Sequence, residues 1–370
     1  MPLKSFLYET QLKLRQRMTA RSFKGVKAAD FGAQAFEPRT ILFVLAGLIG
    51  DSVMSLPAII EARTIWPNAH ITVLGKKHNR ELISACTFFD EFYECNVDPF
   101  SLRKSGEIKK LESWLLEQDF DAAFILLGDQ FAHLLARAGI PIRVGVTGTE
   151  LENCLTHTYD IGSARAWGSN ERLNALRCLG YSVEQVPPEL SVDDEARRTG
   201  RAKLVSLGLN ESRDYAVLHP FGSSRRQWWK IADVGALAAK LKENDIQTVL
   251  IGGSETVSQI SNHAPVIDST GHLTLPELLA VIDGSKLVIT TDSGPFHIAG
   301  ALGKHIVGLF RSRRPEHAKQ YGTASVLFGE NDRCMQACKW DSCETEPCRQ
   351  MEEVTVEGVT ESIEMFLNTP

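Results

Sequence analysis

Short apolar runs alternate with longer stretches that place an apolar residue every three or four positions, and the alternation occurs twice along the chain. Thr40–Leu45 is a continuous apolar run of the kind that suits a strand buried on both faces of a parallel sheet. Residues 52–66 have helical spacing through Val53, Leu56, Ile59, Ile60 and Ile65, and the helix is expected to stop at Pro67. Further strands are predicted over 71–74, 90–93, Ala122–Leu127 and Ile142–Val146, with a helix over 108–118. The pattern breaks around 181–194, where Pro187 and Pro188 interrupt it, and a linker is predicted there. A second series follows, with strands over 216–219, 248–251, 286–290 and 305–310 and helices over 234–242, 275–282 and 295–302. The run at 305–310 is the last clear strand. This order predicts an α/β protein with two Rossmann-like domains, residues 1–190 and 191–370, and no sequence repeat between them.

The first 23 residues stand apart. They are basic and loosely amphipathic, with Phe6, Leu7, Leu12, Leu14 and Met18. An extra helix packed on the first domain is one reading; a surface for an anionic membrane or another subunit is the other. Composition narrows the classes. In 370 residues, 43% hydrophobic and 23% charged is ordinary for a globular chain. A net charge of −6 argues against nucleic acid as the main partner, while leaving room for a local basic phosphate site. No apolar run reaches the roughly 18 residues of a membrane span. The basic N-terminus lacks an apolar core and a small-residue cleavage site, so a cytoplasmic location is expected.

Candidate chemistry gathers after strand ends, where open parallel sheets bind ligands. Gly47, Gly50 and Asp51 follow the first strand. A carboxylate there would repel a pyrophosphate but suits a general base; it would equally serve as a helix N-cap. His219-Pro-Phe-Gly-Ser-Ser-Arg-Arg follows a later strand, and Ser223, Ser224, Arg225 and Arg226 could hold phosphate oxygens, or the arginines could simply be solvated. Asp292, Ser293 and Gly294 form a third strand-to-helix turn, with Pro295 opening the helix and amide groups offered to an anion. His297 in that first turn could bond a phosphate or be structural. Lys76, Lys77, His78 and Arg80 could meet an anionic acceptor or form an exposed basic loop. Of eight cysteines, Cys86, Cys95, Cys154 and Cys178 read as reduced thiols. Cys334, Cys338, Cys343 and Cys348 are clustered and could hold a structural zinc or iron, stay reduced or form a disulfide.

Three segments in order carry a family resemblance: ILFVLAGLIGDSVMSLP at 41–57, HPFGSSRRQWW with VLIGGSE at 219–255, and TDSGPFHIAGALG at 291–303. Together they resemble the heptosyltransferases, inverting glycosyltransferases that build the lipopolysaccharide inner core from ADP-heptose. The resemblance implies a GT-B fold, two Rossmann-like domains facing a central cleft, with the acceptor on the first and the donor on the second. It implies that Asp51 is the catalytic base and that Gly50, Lys76 and Lys77 lie on the acceptor side. Ser223, Ser224, Asp292, Ser293, Gly294 and His297 would surround the donor, with Glu255 on its ribose. No Asp-x-Asp motif stands in a metal-binding setting, which agrees with metal-independent transfer; cationic side chains and helix N-termini would offset the leaving diphosphate. Relatives carry a phosphate-binding lysine near Gln227, and an arginine, Arg225 or Arg226, is expected to take over its charge. Relatives that glycosylate proteins hold a structural iron in the cysteine region, which implies a possible metal here. A protein (autotransporter-type) O-heptosyltransferase, a nucleotide-sugar epimerase and a non-catalytic nucleotide-binding protein remain as other readings.

Overall fold

The structure, a computed structural model, describes residues 3–23, 36–101, 104–162, 168–254, 265–311, 321, 324–329 and 348–367. The chain divides into two compact units, Met1–Pro188 and Glu189–Pro370.

In the first unit, helix α1 (Leu3–Arg21) precedes a six-stranded sheet. Strand β1 (Thr40–Leu45) is followed by α2 (Ile49–Ile65), β2 (His70–Gly75), α3 (Lys77–Ile83), β3 (Glu91–Glu94), α4 (Ser105–Glu117) and β4 (Ala122–Leu127). Then come α5 (Ala132–Arg137), β5 (Ile142–Val146), β6 (His157–Tyr159), α6 (Ser169–Arg172) and α7 (Asn174–Arg177). The strand order is β3-β2-β1-β4-β5-β6, and every pairing is parallel. The apolar run of β1 sits at the centre with Ile41 to Leu45 all fully buried, as a strand covered on both faces must be. Phe43 stacks on Phe124 of β4 at 5.0 Å between ring centroids, a pair worth about 0.5–1.5 kcal/mol beyond its burial.

The second unit opens with α8 (Asp194–Ser206), inside a stretch whose start the sequence pattern assigned to the linker. Asp193 caps it, its carboxylate accepting from the Ala196 amide at 2.7 Å. Strand β7 (Tyr215–His219), α9 (Ile231–Glu243), β8 (Gln247–Leu250), β9 (Val266–Asp268), α10 (Leu275–Asp283), β10 (Leu287–Thr291), α11 (Gly294–Ala301), β11 (Ile306–Phe310) and β12 (Ala324–Phe328) follow. The order is β12-β11-β10-β7-β8-β9, again all parallel. Counted within its own unit, this is the same 3-2-1-4-5-6 order as the first sheet, the doubly wound arrangement of dinucleotide-binding folds. The closing helix Val356–Leu367 packs on this sheet, and Val354, Val359 and Ile363 join the core around Trp229.

Three strands departed from expectation. β6 and β9 are three-residue edge strands with no clear run, and β12, an edge strand with the sequence Ala-Ser-Val-Leu-Phe, follows the strand taken as last. Short outer strands pack on fewer neighbours and need less apolar sequence. α2 also begins at Ile49, three residues before the predicted start.

Candidate functional site

In doubly wound sheets the strand order reverses direction beside the first strand, and the crevice this leaves at the carboxyl ends is where ligands bind. Each unit therefore offers one such position: between β1 and β4 in the first, and between β7 and β10 in the second.

In the first unit the turn after β1 is closed by contact. A Cβ on Gly47 would come 2.5 Å from Leu127 Cδ1 and 3.1 Å from its Cβ and Cγ, so any other residue there makes the Leu127 side chain give way. Gly128 follows at φ 103°, another conformation that favours glycine. α2 then starts with Leu48 as N-cap and no side-chain cap bond. Asp51 is the third helical residue, so it is not the N-cap that the sequence allowed. Partial desolvation raises its carboxyl above the usual range, and the nearby Arg172 guanidinium pulls in the opposite direction. Arg172 is buried and anchored by donating to the Leu126 carbonyl at 2.8 Å. Sequence reasoning missed it; an arginine in a short polar helix carries no motif. Gly50 is the second residue of α2, beside Asp51.

The basic loop after β2 is only partly what its charges suggested. Lys77 is exposed and 3.5 Å from Glu81, and Arg80 pairs with Glu94 at 3.1 Å, so both are surface pairs. Lys76 is the N-cap residue of α3, with its amide donating to Asn79 Oδ1 at 2.8 Å. His78 and Asn79 are the residues brought to the glycine turn. His78 Nε2 lies 2.8 Å from the Gly47 carbonyl, and Asn79 donates to Ser52 Oγ at 2.8 Å. Asp129, just past β4, is a second carboxyl raised by desolvation at this edge.

In the second unit the loop after β7 is held by Gln227. Its side-chain oxygen accepts from Ser223 Oγ at 2.7 Å and from the Ser224 amide at 3.2 Å. A Cβ on Gly222 would lie 2.5 Å from Gln227 Cβ, so that glycine is what lets the clamp close. Gln227 thus organises the loop at the position where the resemblance implied a phosphate-binding cation. Arg225 is exposed, with its guanidinium 5.1 Å from the Trp228 ring centroid; Arg226 is half-buried.

β10 runs into α11 through Asp292 and Ser293. Ser293 is the N-cap residue in extended conformation, but its side chain makes no cap bond. The hydroxyl instead donates to the Thr291 carbonyl at 3.1 Å and lies 3.1 Å from His219 Nδ1. Burial pushes His219 down to about 4, so its ring is neutral at ordinary pH. Gly294 opens the helix, Pro295 follows, and no acidic residue occupies the first turn. The Ser293 side chain therefore does not cap the first amides of α11. His297 has one ring nitrogen partnered within the unit. It is 5% exposed, and its Nδ1 lies 3.0 Å from the Tyr321 hydroxyl, so that nitrogen is committed within the protein rather than offered to a phosphate. The signal was Gly300: a Cβ there would collide with the Tyr321 ring, so the glycine makes room for His297's partner.

Glu255, Cys334, Cys338 and Cys343 lie outside the described residues. Cys348 is described and is a buried member of the core cluster with Trp229 and Met351. Among the described residues no group of three or more His, Cys, Asp or Glu side chains could hold a metal ion, and no helix is long and apolar enough to cross a membrane.

Comparisons with known proteins agree with one another. The chain is 26% identical over 298 residues to lipopolysaccharide heptosyltransferase 2 of Escherichia coli, covering 75% of this chain and 84% of that protein. It is 24% identical to an Escherichia coli lipopolysaccharide heptosyltransferase 3, over 70% of this chain and 80% of that protein. Among solved structures, Escherichia coli ADP-heptose LPS heptosyltransferase II superposes with a TM-score of 0.73 at 20% identity, over 89% of this chain and 98% of that one. A glycosyltransferase family 9 protein from Veillonella parvula superposes with a TM-score of 0.77 at 19% identity, over 90% and 99%. The fold is the GT-B type of those enzymes, and the chain is a glycosyltransferase. The model of glycosyltransferase family 9 (heptosyltransferase) matches residues 108–348, well over half of the sequence, and the chain belongs to that family.

Proposed function

We propose that the protein transfers a heptose from ADP-heptose to a lipopolysaccharide-core-type acceptor, with inversion at the anomeric carbon and without a catalytic metal. The observation that carries the reading is Asp51: a partly desolvated carboxyl in the first turn after β1, with its proton affinity raised. Such a group can take a proton from an acceptor hydroxyl as that oxygen attacks the anomeric carbon. The first unit would carry the acceptor, with Lys76, His78 and Asn79 beside the turn. The second would hold the donor diphosphate on the amides at the start of α11, with the loop around Ser223 and Ser224 next to it. Arg225 and Arg226 supply positive charge in that loop. ADP leaves as the glycosidic bond forms. The solved and curated relatives support both the donor and the acceptor class through their names, ADP-heptose LPS heptosyltransferase II and lipopolysaccharide heptosyltransferases 2 and 3.

The test is ADP release by purified protein supplied with ADP-heptose and a heptose-deficient lipopolysaccharide core, in the presence of a chelator. Acceptor-dependent ADP release, with a heptose mass added to the core, is the expected result. Transfer to a co-expressed protein but not to the core would replace the acceptor assignment. Epimerised donor without any acceptor would overturn the transfer reaction.

A further inference from the structure

Helix α1 is built into the first unit by one face. Ala20 is 4% exposed and belongs to the core cluster with Leu151, Cys154 and Leu155, and Phe23 packs against the same cluster. Leu12, Gln16 and Thr19 are half-buried. With about 100° between successive residues of an α-helix, Leu14 and Met18 fall on the opposite face, one turn apart. They are 59% and 62% exposed. Two adjacent large apolar side chains turned outward on a helix already packed by its other side are not explained by the unit's own core.

Their surroundings are cationic. Between Thr10 and Arg21 the helix carries Lys13, Arg15, Arg17 and Arg21 and no acid, in a chain whose net charge is −6. Arg17 is held by Glu150 through two hydrogen bonds, of 2.7 and 2.9 Å, and Lys13 acts on the same carboxylate. Arg17 and Lys13 act on one carboxylate, and the stretch from Thr10 to Arg21 stays positive against the sign of the whole chain. A two-fold contact between copies through this face would set like charges against one another. An anionic lipid surface supplies the opposite charge and, in its headgroup region, a place for the two apolar side chains.

We propose that α1 is a peripheral docking face for an anionic lipid surface, with Leu14 and Met18 entering the headgroup region and Lys13, Arg15 and Arg21 meeting lipid phosphates. Because the rest of the chain is net acidic, the same charge pattern sets which side of the first unit faces the lipid. This inference is independent of the transfer reaction, and its readout does not use activity.

The full chain is floated with vesicles of phosphatidylcholine alone and of phosphatidylcholine mixed with phosphatidylglycerol. Flotation with the mixed vesicles only, weakened by added salt, is expected. Leu14→Ser with Met18→Ser should reduce it by roughly tenfold, and Lys13→Ser with Arg15→Ser by a similar factor. Thermal melting of each variant checks that α1 and the unit stay folded. Equal flotation with neutral vesicles, no flotation of folded wild type, or unchanged flotation of both variants overturns the proposal. So does a wild-type oligomer that Leu14→Ser with Met18→Ser dissociates without altering flotation, which would make the face an interface between copies.

Discussion

The two units share a strand order and differ in the first turn of the helix beside the switch point. Both helices, α2 and α11, start from an N-cap residue whose side chain makes no cap bond, Leu48 in one and Ser293 in the other. α2 adds Asp51 to its first turn, and α11 has no acid there. A carboxylate in that position occupies the favourable end of the helix dipole and repels a second anion; an empty one leaves the dipole to a ligand. Under the proposed function, one topology would serve a base in the first unit and a diphosphate in the second.

The sharpest way to break the comparison is to remove the carboxylate. Asp51→Asn is expected to lower kcat by about a hundred- to ten-thousand-fold, with ADP-heptose affinity nearly unchanged in a calorimetric titration. The converse change places an acid where the second unit has none. Gly294→Asp should weaken ADP binding by roughly tenfold through the helix dipole and charge repulsion, read by the same titration. A wild-type affinity in that variant would separate the donor from α11.

The close approach at the first turn can be tested by stability. Gly47→Ala forces a methyl against Leu127 and should cost about 1–3 kcal/mol, lowering Tm by several degrees. The smallest effect concerns pH. Asp51 must be unprotonated to act as a base, so kcat should rise with pH through a value above the ordinary aspartate range. Arg172 opposes that rise in proton affinity. Arg172→Met should therefore move the acidic limb of the profile to still higher pH. A limb that stays in place would show that Asp51 does not feel Arg172.

Much of this was legible in the sequence because burial on both faces leaves a plain signature. Thr40–Leu45, Ala122–Leu127 and Ile142–Val146 were bounded correctly because central parallel strands admit little besides apolar residues. The glycines and hydroxyl residues after those strands located both switch points, since close turns restrict what can stand there. β6 and β9 were missed because three-residue outer strands lack that signature. α8 was missed because no element was read between the linker at 181–194 and the strand at 216–219, although Asp193, inside that linker, is the cap of the helix.

The sequence by itself determined the alternation, the two doubly wound units and the kinds of side chain placed at strand ends, because these follow from local burial and from backbone freedom. Only the tertiary structure decided which of those side chains are available. It committed one nitrogen of His297 to Tyr321, turned Gln227 into a loop clamp, tied Lys77 to Glu81 and set Arg172 near Asp51. Each is a contact between residues whose spacing carries no pattern, and partnership and desolvation arise only once the chain has closed around them.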